Sequence, residues 1–355
     1  MVTFRLIVLL LVSVLSAPSF AIKDVKLITI GYGDEFWSAF GHTALAIDDT
    51  VYGFGYFSFE DEGLIQSFVT NQMQYDLGVS DFSREVELAH WQNRTFIVQE
   101  LALSESEKLD IIQYLTWHNL PENQSYHYDY FLNNCSTKIR DIIDDAWGGL
   151  LQAEYSQSSN NTYFNQTFPA KNQSLMNLGL ALAYGWPAYS VRSDWELMAF
   201  PLYLQQKITE MAHLKATSPT VLYREVPKSA LMSLVQTHWV MVLIFLVVLV
   251  LLLVSKTRRA TQKTLLIVQS VIGLILLSFW LFSGHQVLAW NFNVLLFSPI
   301  AFLLFKYHQL KWFLLLSYMA WSLFAVFLGA WYLIPIWVLH MLSIRSYHPQ
   351  KLMSV

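Results

Sequence analysis

One thiol and one imidazole carry the chemistry that this chain's residue types allow. Cys135 is the only cysteine in 355 residues. It stands in Tyr-His-Tyr-Asp-Tyr-Phe-Leu-Asn-Asn-Cys-Ser-Thr-Lys-Ile-Arg-Asp at positions 126–141. In an exported protein a lone cysteine cannot form an internal disulfide, so reactivity becomes the reason for its presence. His42, in Phe-Gly-His-Thr-Ala-Leu at 40–45, titrates near neutrality and can act as base for a thiol nucleophile. The bland alternatives are an inert packed cysteine and a structural histidine. The polar flanks Asn133-Asn134 and Ser136-Thr137 favour a pocket over a core.

A thiol nucleophile also needs a group that orients its base and donors for an oxyanion. Asp129, Asn134 and Tyr52 are candidates for orienting His42, and the amides near Ser136 and Thr137 for the oxyanion. Metal chemistry has little support, because there is no His-Glu-x-x-His and no second cysteine. No phosphate-binding or dinucleotide motif occurs, so no cofactor is expected. The net charge of −4 and the lack of a basic patch make nucleic acid an improbable partner.

These residues need elements to hold them. Alternating patterns predict strands over 25–32, 43–47, 51–59 and 96–103. Ser104 followed by acidic residues predicts a helix start. Cys135 opens a predicted helix over 136–147, where Ile139, Ile142 and Ile143 share one face. A thiol at a helix N-terminus has its thiolate stabilised by the dipole and the free N–H groups. Residues 150–175, rich in Asn, Gln, Ser and Tyr, read as an irregular surface segment. Helices are expected over 175–184 and 195–215.

At 54% hydrophobic and 14% charged, the chain is too apolar for an ordinary soluble protein. Residues 1–21 read as a secretory signal peptide, with an uncleaved anchor as the alternative. Residues 22–237 are the exported domain. Residues 238–344 hold five apolar runs at 240–254, 265–282, 294–305, 312–328 and 331–344, and 345–355 form a short tail. A span needs roughly 20 residues; the first two runs qualify with their flanks, and the last three are short. Lys256, Arg258, Arg259, Lys263, Lys306, Lys311, Arg345 and Lys351 are all the lysines and arginines after position 229. Five spans place all of them on one side, which the positive-inside rule makes cytoplasmic. The exported domain then faces the periplasm, as the signal peptide independently requires.

The His box, the Asn-Cys-Ser-Thr-Lys-Ile-Arg-Asp box at 134–141 and the multi-span C-terminus together resemble the Lnb-type bacterial lipoprotein N-acyltransferases. That resemblance implies an α+β papain-like exported domain (permuted NlpC/P60-type) followed by an all-α transmembrane bundle of about five helices. It implies a cysteine-dependent acyltransferase in the bacterial inner membrane, with Cys135 as nucleophile and His42 as base. A phospholipid would be the acyl donor and a diacylglyceryl-modified apolipoprotein the acceptor, both drawn from the bilayer. The polar loop at 283–293, with His285, Asn291 and Asn293, resembles the family's outward-facing membrane-surface loop. Two other readings share the residues: a membrane-anchored cysteine peptidase or amidase acting on cell-wall peptides, and a non-catalytic envelope binding or assembly module.

Overall fold

Strands that are apolar on both faces build a sheet covered on both sides. The computed structural model describes residues 24–58, 60, 63–167, 174–211, 213–227, 239–328, 333–345 and 347. The expected signal peptide at 1–21 and most of the tail at 345–355 lie outside them, as does the 237/238 boundary. Strands β1 (Val25–Ile30), β2 (His42–Ile47), β3 (Thr50–Tyr56), β4 (Gln74–Asp81), β5 (Phe96–Glu100) and β6 (Ser125–His127) follow in chain order. β7 (Ser158–Thr162) and β8 (Val191–Ser193) pair with each other. With β9 (Thr220–Tyr223), the first six form an antiparallel sheet in the order β6-β4-β3-β2-β1-β5-β9. Register runs from Val25 opposite Ile47 to Ile30 opposite His42, and Ala44 lies opposite Gly53.

Side-chain alternation along these strands sorts their apolar residues to two faces. Val25, Leu27, Leu45 and Phe54 face one core, and Ile28, Ile30, Ala44, Ala46 and Val51 the other. The helices of this half are α1 (Leu64–Val69), α2 (Phe82–Trp91), α3 (Glu105–His118), α4 (Cys135–Ala146), α5 (Leu150–Tyr155), α6 (Tyr163–Thr167), α7 (Ser174–Ala183), α8 (Trp186–Tyr189), α9 (Asp194–Leu197) and α10 (Pro201–Glu210). α2 covers the second face through Ala89. α4 covers the first with Ile139, Ile142 and Ile143, flanked by Ile111 and Leu115 of α3 and Leu204 and Ile208 of α10. Each fully buried Ile or Leu contributes on the order of 1.5–3 kcal/mol, so the apolar face of α4 fixes where its first residue, Cys135, sits.

Two expectations for this half change. Residues 150–167 are ordered as α5, β7 and α6, with Tyr163, Phe164 and Thr167 buried; their many amides hid a segment anchored by aromatic rings. The single helix expected over 195–215 is two, because the chain turns at 198–200 and Pro201 starts α10 at its first position.

The C-terminal half is helical. α11 (Trp239–Leu253) and α12 (Ser255–Phe282) meet at Val254, which is extended. Arg258 closes the end of α11 by donating to the Leu252 and Leu253 carbonyls. α13 (Asn293–Leu296), α14 (Leu310–Leu328) and α15 (Ile334–Arg345) follow. Among the described residues two segments, 255–282 and 286–305, are long and apolar enough to cross a membrane. The second is not one helix. Short pieces at Gln286–Leu288, Asn293–Leu296 and Ala301–Phe305 are joined by irregular backbone. The other apolar helices among the described residues, Val242–Leu253, Leu310–Val326 and Ile334–Arg345, are shorter. Broken backbone at membrane depth is tolerated where protein surrounds it, and Asn293, Leu296, Phe297, Ser298, Ala301 and Leu304 are all buried.

A third cluster lies between the halves. Tyr163, Phe164, Ala181, Tyr184, Ala188, Leu197 and Phe200 pack around Val287, and Leu288 joins them.

Candidate active site

The position of Cys135 follows from how its helix starts. Asn134 is the cap of α4: its Oδ1 accepts from the Ser136 and Thr137 N–H groups, both at 2.9 Å. Thr137 Oγ1 in return accepts from the Asn134 N–H at 2.8 Å, a reciprocal capping box. The Asn134 amide donates to the Tyr130 carbonyl at 2.7 Å and the Ala199 carbonyl at 2.9 Å. Ser136 Oγ donates to the Met198 carbonyl at 2.6 Å. These bonds tie the residues around Cys135 to the preceding loop and to the turn at 198–200.

The sequence candidates for an orienting or oxyanion group have other partners. Asp129 accepts from the Phe131 and Leu132 N–H groups, both at 2.9 Å, and from the Asn71 side chain at 2.8 Å. It shapes the loop before the nucleophile. Tyr52 packs against the core beside α4 and does not line the cavity described below. Asn134 and Thr137 make the cap, and the Ser136 N–H is shared between that cap and the Cys135 sulfur.

His42 begins β2 and reaches the same place from the sheet. Gly41 before it has φ of 90°, and a Cβ there would lie 2.6 Å from the Ile30 carbonyl. Only glycine suits that turn without strain. A methyl group added at Gly53 would lie 3.2 Å from His42 Nε2, and one at Gly55 would lie 3.8 Å from Cys135 Cβ. The imidazole and the thiol thus rest against neighbouring glycines of β3.

Both groups line one cavity of about 560 Å³, within the range of about 300–1,000 Å³ usual for small-ligand sites. Its wall is aromatic: Phe36, Phe57, Phe68, Tyr75, Tyr128, Tyr130, Phe131 and Phe200 contribute. Tyr75 stacks on Tyr128 at 4.0 Å and on Phe57 at 4.8 Å. The two outer tyrosines of Tyr128-Asp129-Tyr130 are therefore cavity wall, and Tyr126 packs edge-on against core Phe54. The cavity also takes in Met176, Leu180 and Ala183 of α7, Phe279 of α12, and His285, Val287 and Leu288 beyond it.

The electrostatics leave both reactive groups neutral at rest. Burial pushes the Cys135 thiol up, against the pull of the Thr43 and Ser136 N–H groups and the Arg94 charge. Burial, and then the Arg94 guanidinium, lower the His42 imidazole to about 4. A neutral imidazole at neutral pH has the protonation state that a general base needs. The His42 imidazole makes no hydrogen bond to any described residue. Arg94, absent from the sequence candidates, lines the cavity beside them. An arginine just ahead of a strand carries no motif, so only the fold brings it to notice.

The loop at 283–293 does different work. Ser283 Oγ donates to the Val69 carbonyl at 2.9 Å and His285 Nε2 to the Phe68 carbonyl at 2.7 Å, closing the end of α1. Asn291 donates to the Leu182 and Ala183 carbonyls, both at 2.8 Å, and Asn293 to Ala181 at 2.9 Å and Leu182 at 3.1 Å. These are the last carbonyls of α7, which have no partner within the helix. Trp321 of α14 donates to Asn293 Oδ1 at 3.0 Å. The loop docks the C-terminal helical half onto the sheet-bearing half, and of its three polar candidates only His285 lines the cavity. Among the described residues no group of His, Cys, Asp and Glu could hold a metal ion.

Residues 17–169 match the family model described as the Lnb N-terminal periplasmic domain, a stretch that includes His42, Arg94 and Cys135. No curated protein and no solved structure matches the chain. The match over residues 17–169 is a similarity to the Lnb N-terminal periplasmic domain, and it supports the Lnb-type resemblance of the two sequence boxes.

Proposed function

We propose that this protein is a cysteine-dependent lipoprotein N-acyltransferase that uses a phospholipid as acyl donor. The observation that carries the reading is the continuity of the cavity. Cys135 and His42 share it with Phe279, Val287 and Leu288 of the membrane half. A fatty acyl chain is the substrate part that suits a long aromatic and aliphatic wall, and its ester must meet a nucleophile. Both substrates live in the bilayer, where a membrane-borne site meets them without extracting them. The inner membrane is the location this reading requires. The Cys-headed helix laid on an antiparallel sheet after a strand-borne histidine also suits a permuted papain-like fold.

In the first step His42 takes the Cys135 proton as Sγ attacks the ester carbonyl carbon. The C–S bond forms, the ester C–O bond breaks, and the imidazolium protonates the departing glycerol oxygen. An acyl-thioester enzyme and a lysophospholipid result. In the second step the free α-amine of the apolipoprotein's lipid-modified cysteine attacks the thioester. The C–N bond forms, the C–S bond breaks, and the amine proton passes through His42 to the sulfur. A peptidase acting on cell-wall peptides would share the thiol and base, but polar peptides fit this apolar lining poorly. The test is intact-mass analysis of the purified full chain after incubation with phospholipid. A mass gain of one acyl group, mapped to Cys135 and removed by hydroxylamine, is expected; continued N-acylation with no such adduct would remove the scheme.

A further inference from the structure

Arg94 is a buried cation with no ion-pair partner among the described residues. The residue is 8% exposed. Its Nε donates to the Gly31 carbonyl at 3.0 Å and its Nη1 to Gln92 Oε1 at 3.1 Å. Nη2 is buried with no hydrogen-bond partner among the described residues. Arg94 forms no salt bridge among them either. Glu85 acts on it only through its field, and the Glu85 carboxylate accepts instead from Ser80 Oγ at 2.6 Å. The nearby thiol is neutral at rest, so it supplies no negative charge. A desolvated guanidinium left in this state is costly, and the cost is removed when a ligand brings an anion.

Among the described residues Arg94 is the only lysine or arginine lining the cavity. Any phosphodiester that enters with an acyl ester therefore meets one cation among the described residues, and Nη2 of that cation, buried in the wall, has its hydrogen-bonding capacity unspent. A guanidinium suits phosphate oxygens better than an ammonium does, because its N–H groups are planar and fixed in direction. The other two nitrogens are held by Gly31 and Gln92, so Nη2 is already oriented before a ligand arrives.

We propose that Arg94 Nη2 binds the phosphodiester of a glycerophospholipid, so that the cavity selects phospholipid over a neutral diacylglycerol of the same chains. The inference rests on the acyl-transfer reading for its biological setting, but binding alone tests it. A fixed phosphate beside the thiol also limits which ester of the donor can reach Sγ. Arg94 is thus a specificity-determining residue for the donor.

The experiment uses the full chain with Cys135→Ala, in detergent micelles, titrated with dihexanoyl-phosphatidylglycerol and with dihexanoylglycerol. Intrinsic tryptophan fluorescence reads binding. The expected result is about tenfold tighter binding of the phospholipid, the size of one charge-assisted contact. In Cys135→Ala/Arg94→Gln the preference disappears, and with Arg94→Lys, which keeps the charge, much of it returns. Equal binding of the two lipids by the parent overturns the proposal whether or not the Gln variant folds. So does a preference that survives Arg94→Gln. If the preference is found but wild-type protein never forms an acyl-Cys135 adduct, the phosphate site stands and the acyl-transfer reading falls.

Discussion

The two polar boxes that stand out in the sequence behave differently once folded. Around the loop at 283–293, Ser283, His285, Asn291 and Asn293 all donate to the exposed carbonyl ends of two helices, α1 and α7. Around the thiol, Asn134 and Ser136 are bonded in the same way, yet the His42 imidazole makes no hydrogen bond to a described residue and Arg94 Nη2 has no partner among them. A side chain whose donors all meet backbone carbonyls is holding structure together. One left unpaired in a cavity is available to something else. Residue type does not separate the two cases; partner lists do.

That contrast can be broken by mutation. The largest effect is expected at the thiol: Cys135→Ala abolishes acyl-enzyme and N-acylation together, measured by intact mass. His42→Ala slows thioester formation by about 10²–10⁴-fold, the usual contribution of a general base, while the thermal midpoint changes little. Gly53→Ala is a sharper version, because it keeps the histidine and pushes its ring; the rate falls with no loss of His42. An unaltered rate in Gly53→Ala would mean that the packing of His42 on β3 is irrelevant to the chemistry.

The pH profile tests the neutral resting pair. With the His42 pKa lowered to about 4 by burial and by Arg94, thioester formation loses rate in acid only as pH approaches about 4. An ordinary imidazole gives that limb near 6.5. The same shift acts on stability. The unfolded chain takes up the proton first, so stability is lost as pH falls from about 6.5 toward 4. His42→Gln removes this dependence.

The smallest effects belong to the caps. Asn134→Ala is expected to cost about 1–2 kcal/mol of stability through the lost cap, read as a lower unfolding midpoint. Asn291→Ala and Asn293→Ala each cost about 1 kcal/mol and leave the alkylation rate of Cys135 by a small soluble reagent unchanged. If either Asn variant changed that alkylation rate as much as His42→Ala, the distinction between the two boxes would fail.

Much of the sheet and the start of the nucleophile's helix was legible from local pattern. β1, β2 and β5 coincide with expected strands to within a few residues, and the helix expected to open at Cys135 does so. What was hidden depends on contacts far apart in the chain. β4 contains Asp76 and Gly78 and was overlooked, although Tyr75 and Leu77 alternate inward. The segment after α5 reads as polar because its amides outnumber its rings, yet Tyr163 is 2% exposed. Arg94 sits in no motif. The third apolar run has the composition of a span, but its backbone is broken at 297–300, where Ser298 and Pro299 interrupt it. Hydropathy reports how apolar a segment is and says nothing about neighbours that let it unwind.

The central claim is that the thiol at the head of α4 moves an acyl chain to an amine. Its most direct test is the mass of one lipoprotein's N-terminal peptide from cells carrying wild-type protein, Cys135→Ala, or neither, in a background with no other N-acylating activity. The account predicts an added acyl chain with wild type alone. The same mass in all three strains, with both proteins present in the membrane, would contradict it.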